Sequence, residues 1–142
     1  MTTTKTGLFD HALESANVLV RDVAQAFPTD DRRFAHRVLR AWLHVLRDRL
    51  TVEASAHFAA QLPELVRGMY YDGWNPSRVP EKFDAEECAD RLVREANIAR
   101  KDVPTAVAAV VSALQGHLSE GMLEKVFAQL PPDVRLLLNP LS

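Results

Sequence analysis

The stretch Ala41–Arg67, AWLHVLRDRLTVEASAHFAAQLPELVR, returns in weakened form as Ala109–Arg135, AVVSALQGHLSEGMLEKVFAQLPPDVR, with no gap and a constant offset of 68. Nine of the 27 paired positions are identical: Ala41/Ala109, Leu46/Leu114, Leu50/Leu118, Ala60/Ala128, Gln61/Gln129, Leu62/Leu130, Pro63/Pro131, Val66/Val134 and Arg67/Arg135. Most of these are apolar or punctuate helices. A packing unit was repeated, and no reactive group was copied with it. Two such units, neither with enough apolar surface to stand alone, are expected to share one interior.

Outward from this pair, apolar residues keep a three- and four-residue spacing, with no strand-like alternation longer than a few residues. Phe9, Leu13, Ala16, Val20, Val23 and Phe27 make the stripe of a first helix that Pro28 ends. Thr29, Asp30 and Asp31 offer N-caps for a second, with Val38, Leu39, Trp42, Val45, Leu46 and Leu50 inward. Thr51 caps a third helix that buries Ala54, Phe58 and Leu62, and Pro63 opens a short fourth that stops at Gly68. The plan then repeats. Asp84 opens a helix carrying Cys88, Leu92 and Ala96, with Glu87–Arg91 and Asp90–Arg94 as outer pairs. Asp102 and Pro104 start the next, and Gly116 closes it. Ser119, the counterpart of Thr51, caps a helix with Met122, Val126, Phe127 and Leu130, and Pro131 and Pro132 open the last, to Leu138. The expected fold is all-α: a single-domain helical bundle over 1–142, made of pseudo-symmetric repeats at 7–70 and 81–139 joined by an aromatic connector at 71–80.

At 142 residues, 47% hydrophobic and 25% charged, the chain has the composition of one globular domain. A net charge of −2 exerts no global pull on nucleic acid or anionic lipid, so such a partner would need a local patch. Cys88 is the single cysteine, which rules out an intramolecular disulfide and four-cysteine zinc sites. No run approaches the ~20 apolar residues of a membrane span. Asp10, His11 and Glu14 break up any signal-peptide core, so a cytoplasmic setting without membrane partners is expected.

One chemical constellation stands out. Arg33, Arg37, Arg40, His44 and Arg47 fall on one face of the second helix, flanked by Arg32, His36 and Arg49. Such a stripe can hold phosphates through salt-sensitive contacts. It can equally be the back of an amphipathic helix, balanced by Asp30, Asp31, Asp48 and carboxylates of neighbouring helices. The counterparts of Arg37, Arg40, His44 and Arg47 are the uncharged Thr105, Ala108, Ser112 and Gln115, so that part of the stripe does not belong to the repeated scaffold. His44 and Asp48 could form an imidazole–carboxylate couple, but no nucleophile completes it. Glu53 and His57 supply two metal ligands where zinc needs three or four. A P-loop and a Gly-x-Ser-x-Gly elbow are both absent. Tyr70, Tyr71 and Trp74 form an aromatic group that either lines a partner surface or staples the two repeats. Arg67 and Arg135 are expected to meet helix C-terminal carbonyls or a carboxylate, and Cys88 to be buried.

The blocks Leu39–Leu50 (LRAWLHVLRDRL) and Ala59–Pro76 (AAQLPELVRGMYYDGWNP) resemble the bacterial domain-of-unknown-function family 2267, and the first helix and Ala128-Gln129-Leu130-Pro131 fit it as well. The resemblance covers nearly the whole chain. It implies a small soluble helical protein and brings no activity, substrate or cofactor with it. Trp42 stands where that family pattern suggests a smaller aliphatic residue.

The expectation is therefore a non-enzymatic interaction or assembly module without cofactor or metal, with stress physiology as its setting, that docks a protein partner or its own copy. The surface in view comprises Arg33, Arg37, Arg40, His44, Arg47, Arg67, Tyr70, Tyr71 and Trp74. The runner-up is nucleic-acid or polyanion binding through Arg33, Arg37, Arg40 and Arg47. An enzyme using His44 and Asp48 is the weakest reading.

Overall fold

The computed structural model describes residues 7–141. Helices run in the order α1 (Asp10–Ala26), α2 (Arg32–Arg49), α3 (Val52–Ala59), α4 (Glu64–Tyr71), α5 (Ala85–Ala96), α6 (Val103–Gln115), α7 (Met122–Phe127) and α8 (Pro132–Leu138). A three-ten turn at Arg100–Asp102 leads into α6. The described residues contain no strand.

Local chemistry explains most boundaries. The Asp31, Thr51 and Asp84 side chains accept from the backbone N–H groups of Phe34, Ala54 and Glu87, satisfying donors that the first turns of α2, α3 and α5 cannot pair internally. Asn97 ends α5 in the left-handed region at φ 56°. Two boundaries differ from the sequence expectation. Helix α4 runs through Gly68, where an added Cβ would meet nothing within 4 Å, and ends only where Asp72 turns extended and Gly73 takes φ +83°. Tyr70 and Tyr71 therefore belong to α4, and the connector runs from Asp72 to Asp84. Ser119 does not cap α7. Gly121 at φ +82° occupies the N-cap position, and the Ser119 hydroxyl donates to Gln61 Oε1 at 2.5 Å.

One core collects apolar residues from all eight helices. The halves interleave: α1 packs on α6 as well as on its neighbour α2, and α5 packs on α2 far more than on α6. Contacts between α2 and α6 and between α3 and α7 join the halves further. The two Leu-Pro corners have closely similar backbones. Pro63 has φ −55°, ψ 150° and Pro131 φ −59°, ψ 152°, and each preceding leucine is buried. The same backbone bonds recur at each corner, Leu62 N–H to Ala59 O and Leu130 N–H to Phe127 O, both at 3.0 Å.

Helix α2 is the centre of the molecule. The unbroken run Ala41–Arg47 is buried, as happens only when a helix is enclosed all round. Trp42 is fully buried, donates from Nε1 to Leu138 O at 3.0 Å, and meets the Phe127 ring edge-on at 6.1 Å. The indole, larger than the aliphatic residue that the family resemblance suggests, thereby ties α2 to the C-terminal turn of α8. The first helix departs from its predicted stripe. Leu19, Val23 and Ala24 are its buried residues, whereas Phe9 and Leu13 at its start are exposed.

Candidate functional site

The i, i+3, i+4 spacing brings Arg37, Arg40, His44 and Arg47 onto one face of α2, as the sequence requires, but α5 and the end of α4 cover that face. Arg37 Nε donates to Ala96 O at 2.9 Å. Arg40 pairs with Asp72 at 2.7 Å and with Glu95 at 3.6 Å. His44 places Nε2 2.8 Å from Met69 O and Nδ1 2.5 Å from Glu95 Oε2. A carbonyl can only accept, so Nε2 carries hydrogen, and the Nδ1 contact is a bond only with a proton between imidazole and carboxylate. Arg47 Nη1 donates to Tyr70 O at 3.0 Å and to Asp72 O at 2.6 Å, while its Nε reaches Asp48 at 3.0 Å.

Charge balance extends outward from there. Arg91 bridges Glu81 and Glu87, each at 3.1 Å, with Asp48 at 3.7 Å. Burial works against its charge, yet the hydrogen bonds to Glu81 and Glu87 outweigh burial and hold its pKa above the ordinary value. The hydrogen bond from Arg40, reinforced by its charge, holds the Asp72 carboxyl below the usual range. Beside this network lies an open depression of about 370 Å³ lined by Val45, Asp48, Arg91, Arg94 and Glu95.

This arrangement corrects the expected surface. His44, Arg47 and Tyr70 are buried, and Arg37 and Arg40 are half-buried against protein acceptors. Arg33 alone of the stripe is exposed. Arg67 is bonded through Nε to Ala59 O and through Nη2 to Leu62 O, both at 3.1 Å, so it closes the C-terminal end of α3. The His44–Asp48 couple does not form, because His44 faces Glu95 and Asp48 faces Arg47 and Arg91. Among the described residues no three His, Cys, Asp or Glu side chains gather as a metal site. Asp90 pairs with Arg100 rather than Arg94, whereas Glu87–Arg91 forms as expected.

The aromatic group packs within the first half. The Tyr70 hydroxyl lies 2.8 Å from Ser55 Oγ, its ring 5.6 Å from Phe58, and Tyr71 bridges Tyr70 to Trp74. Burial pushes the Tyr70 phenol well above its ordinary pKa, with the Ser55 bond opposing in part. It is Phe83, between the Arg49 and Arg91 guanidiniums at 5.6 and 4.1 Å, that docks the connector. Burial likewise pushes the Cys88 thiol up to about 12, the environment of an inert thiol.

Two surface features remain, and the sequence reading missed both. Leu8 (96% exposed), Phe9 (74%) and Leu13 stand open at the tip of α1. The signal was in the repeat. By the 68-residue offset α5 begins at the position equivalent to residue 17, so α1 extends seven residues beyond its counterpart. The second feature is a groove of about 590 Å³ between α7 and α8, floored by Phe127, Ala128, Pro132 and Leu136, with Glu124 and Arg135 on its lips. Leu136 is 63% exposed there.

A family model described as Uncharacterized conserved protein (DUF2267) matches residues 16–137. The chain belongs to that family. Among curated proteins no match is found. The DUF2267 span takes in the α2 network and the α7–α8 groove, and it begins after Leu8, Phe9 and Leu13. No helix among the described residues is long and apolar enough to cross a membrane.

Proposed function

We propose that the chain is a non-enzymatic interaction module that docks through the apolar residues left open on α1 and α8. The observation that carries this reading is the cluster Leu8, Phe9 and Leu13. Three large apolar side chains are exposed together there, whereas the other exposed ones, Val52, Leu65, Leu136 and Leu141, are spread along the chain. Isolated exposed leucines are ordinary, but a contiguous apolar patch rimmed by charge is the usual mark of a docking surface. The cationic face of α2 contributes rigidity instead, since its guanidiniums hold helix ends.

A photo-crosslinking residue in place of Phe9, and separately of Leu136, tests the reading in the producing cell. A discrete protein adduct at either position, lost when Leu13 or Leu8 is changed to Asp, is the expected result. Absence of any adduct at both positions removes the reading. The polyanion alternative loses most of its carriers, because Arg37, Arg40 and Arg47 already donate to protein acceptors.

A further inference from the structure

We propose, resting on that reading, that the partner is a second copy of this chain, with the α1 tip of one copy seated in the α7–α8 groove of the other. The two features are complementary in shape and charge. Phe9 and Leu13 are four residues apart and form one apolar row at the tip of α1. Asp10 and Glu14 form the adjoining row, exposed and acidic. The groove offers an apolar floor and, on its α8 lip, Arg135.

Arg135 is the informative residue. The guanidinium of its counterpart Arg67 is held by two carbonyls of the α3 corner, yet the Arg135 guanidinium makes no hydrogen bond or ion pair among the described residues, although equivalent carbonyls lie at the α7 corner. A half-buried guanidinium without a partner at the edge of an apolar groove is set to receive a carboxylate. Placing the acidic row of α1 against α8 meets that demand and keeps it away from Glu124 on the α7 lip, which fixes the orientation of docking. This is the helix-in-groove mode of recognition, read as anchors at i and i+4. Among the described residues of one copy nothing fills the groove or covers the tip, and a second copy brings the two together. A contact of one or two turns buries less than the ~1,200–2,000 Å² of tight complexes, which places the association in the micromolar to millimolar range unless two such contacts close a dimer.

Sedimentation of the full chain across that concentration range is the test, with circular dichroism to verify folding of each variant. The wild type is expected to associate reversibly. The double variant Phe9→Asp/Leu13→Asp, which loses the tip, and Leu136→Glu, which spoils the groove, are each expected to remain monomeric. An equimolar mixture of the two is expected to form a complex containing both, since each supplies what the other lacks. Glu14→Arg and Arg135→Glu should each weaken association by about tenfold, and the two changes together should restore it. A wild type that stays monomeric at millimolar concentration overturns the proposal. So does a mixture that fails to associate, or tip variants that associate like the wild type. A monomeric chain that still gives a Phe9 adduct with a different protein ends this inference and leaves the interaction reading standing. A monomer with no adduct ends both.

Discussion

Arg37, Arg47 and Arg67 deliver guanidiniums to carbonyls at the C-terminal ends of α5, α4 and α3, where backbone acceptors are otherwise unpaired and the helix dipole favours positive charge. The planar fork matters more than the charge. Arg47 is 6% exposed and divides its donors among Tyr70 O, Asp72 O and Asp48. A lysine cannot span those acceptors, so Arg47→Lys should destabilise the fold by about 2 kcal/mol in urea unfolding. Asp72 supplies a pH signature. Its folded-state pKa lies below the ordinary value, with the Arg40 hydrogen bond as the main cause. Its contribution is then complete above the ordinary carboxylate pKa and is lost as pH falls through the depressed one. The urea midpoint of Asp72→Asn should lie below the wild type at neutral pH, and the gap should close in acid. In the sequence the α2 stripe was plain and its role was not. Glu95 reaches it from α5 and Asp72 from the start of the connector, and nothing along the chain marks them as its partners.

At the level of elements, glycine separates local signals that hold from those that tertiary structure overrides. Gly68 was expected to stop α4, but an exposed glycine with open space at its Cβ position is simply a weak helical residue. Gly68→Ala should raise stability by roughly 0.5–1 kcal/mol, through the unfolded chain as much as the helix. Gly121 has φ +82°, which a side chain strains, and Gly121→Ala should lower stability by about 1 kcal/mol or more. Opposite signs for two exposed glycines, read as thermal midpoints, check both assignments. The capping carboxylates Asp31 and Asp84 were legible because a cap depends on residues within one turn. Ser119 was misread because the Gly121 backbone reshapes that turn two residues later.

For the whole molecule, the all-α class and the shared interior were legible in the repeated apolar spacing, while the interleaving of helices between halves was not. Spacing fixes which face of a helix is buried and says nothing about which helix covers it. Because α1 lies on α6 as well as on α2, and α5 on α2, a chain of residues 7–80 alone loses one of the main surfaces that cover each of its two longest helices. That fragment should show no cooperative unfolding transition, whereas fluorescence and circular dichroism of the full chain should trace one coincident curve. Helix α2 carries a last consequence. The arginines withdrawn from solvent around it, Arg37, Arg40, Arg47, Arg49 and Arg91, are matched by withdrawn carboxylates such as Asp48, Glu81 and Glu87. Both signs leave the surface together, so the exterior keeps a balance close to the formal −2. Retention on ion-exchange media at neutral pH should therefore be weak and follow the sequence charge.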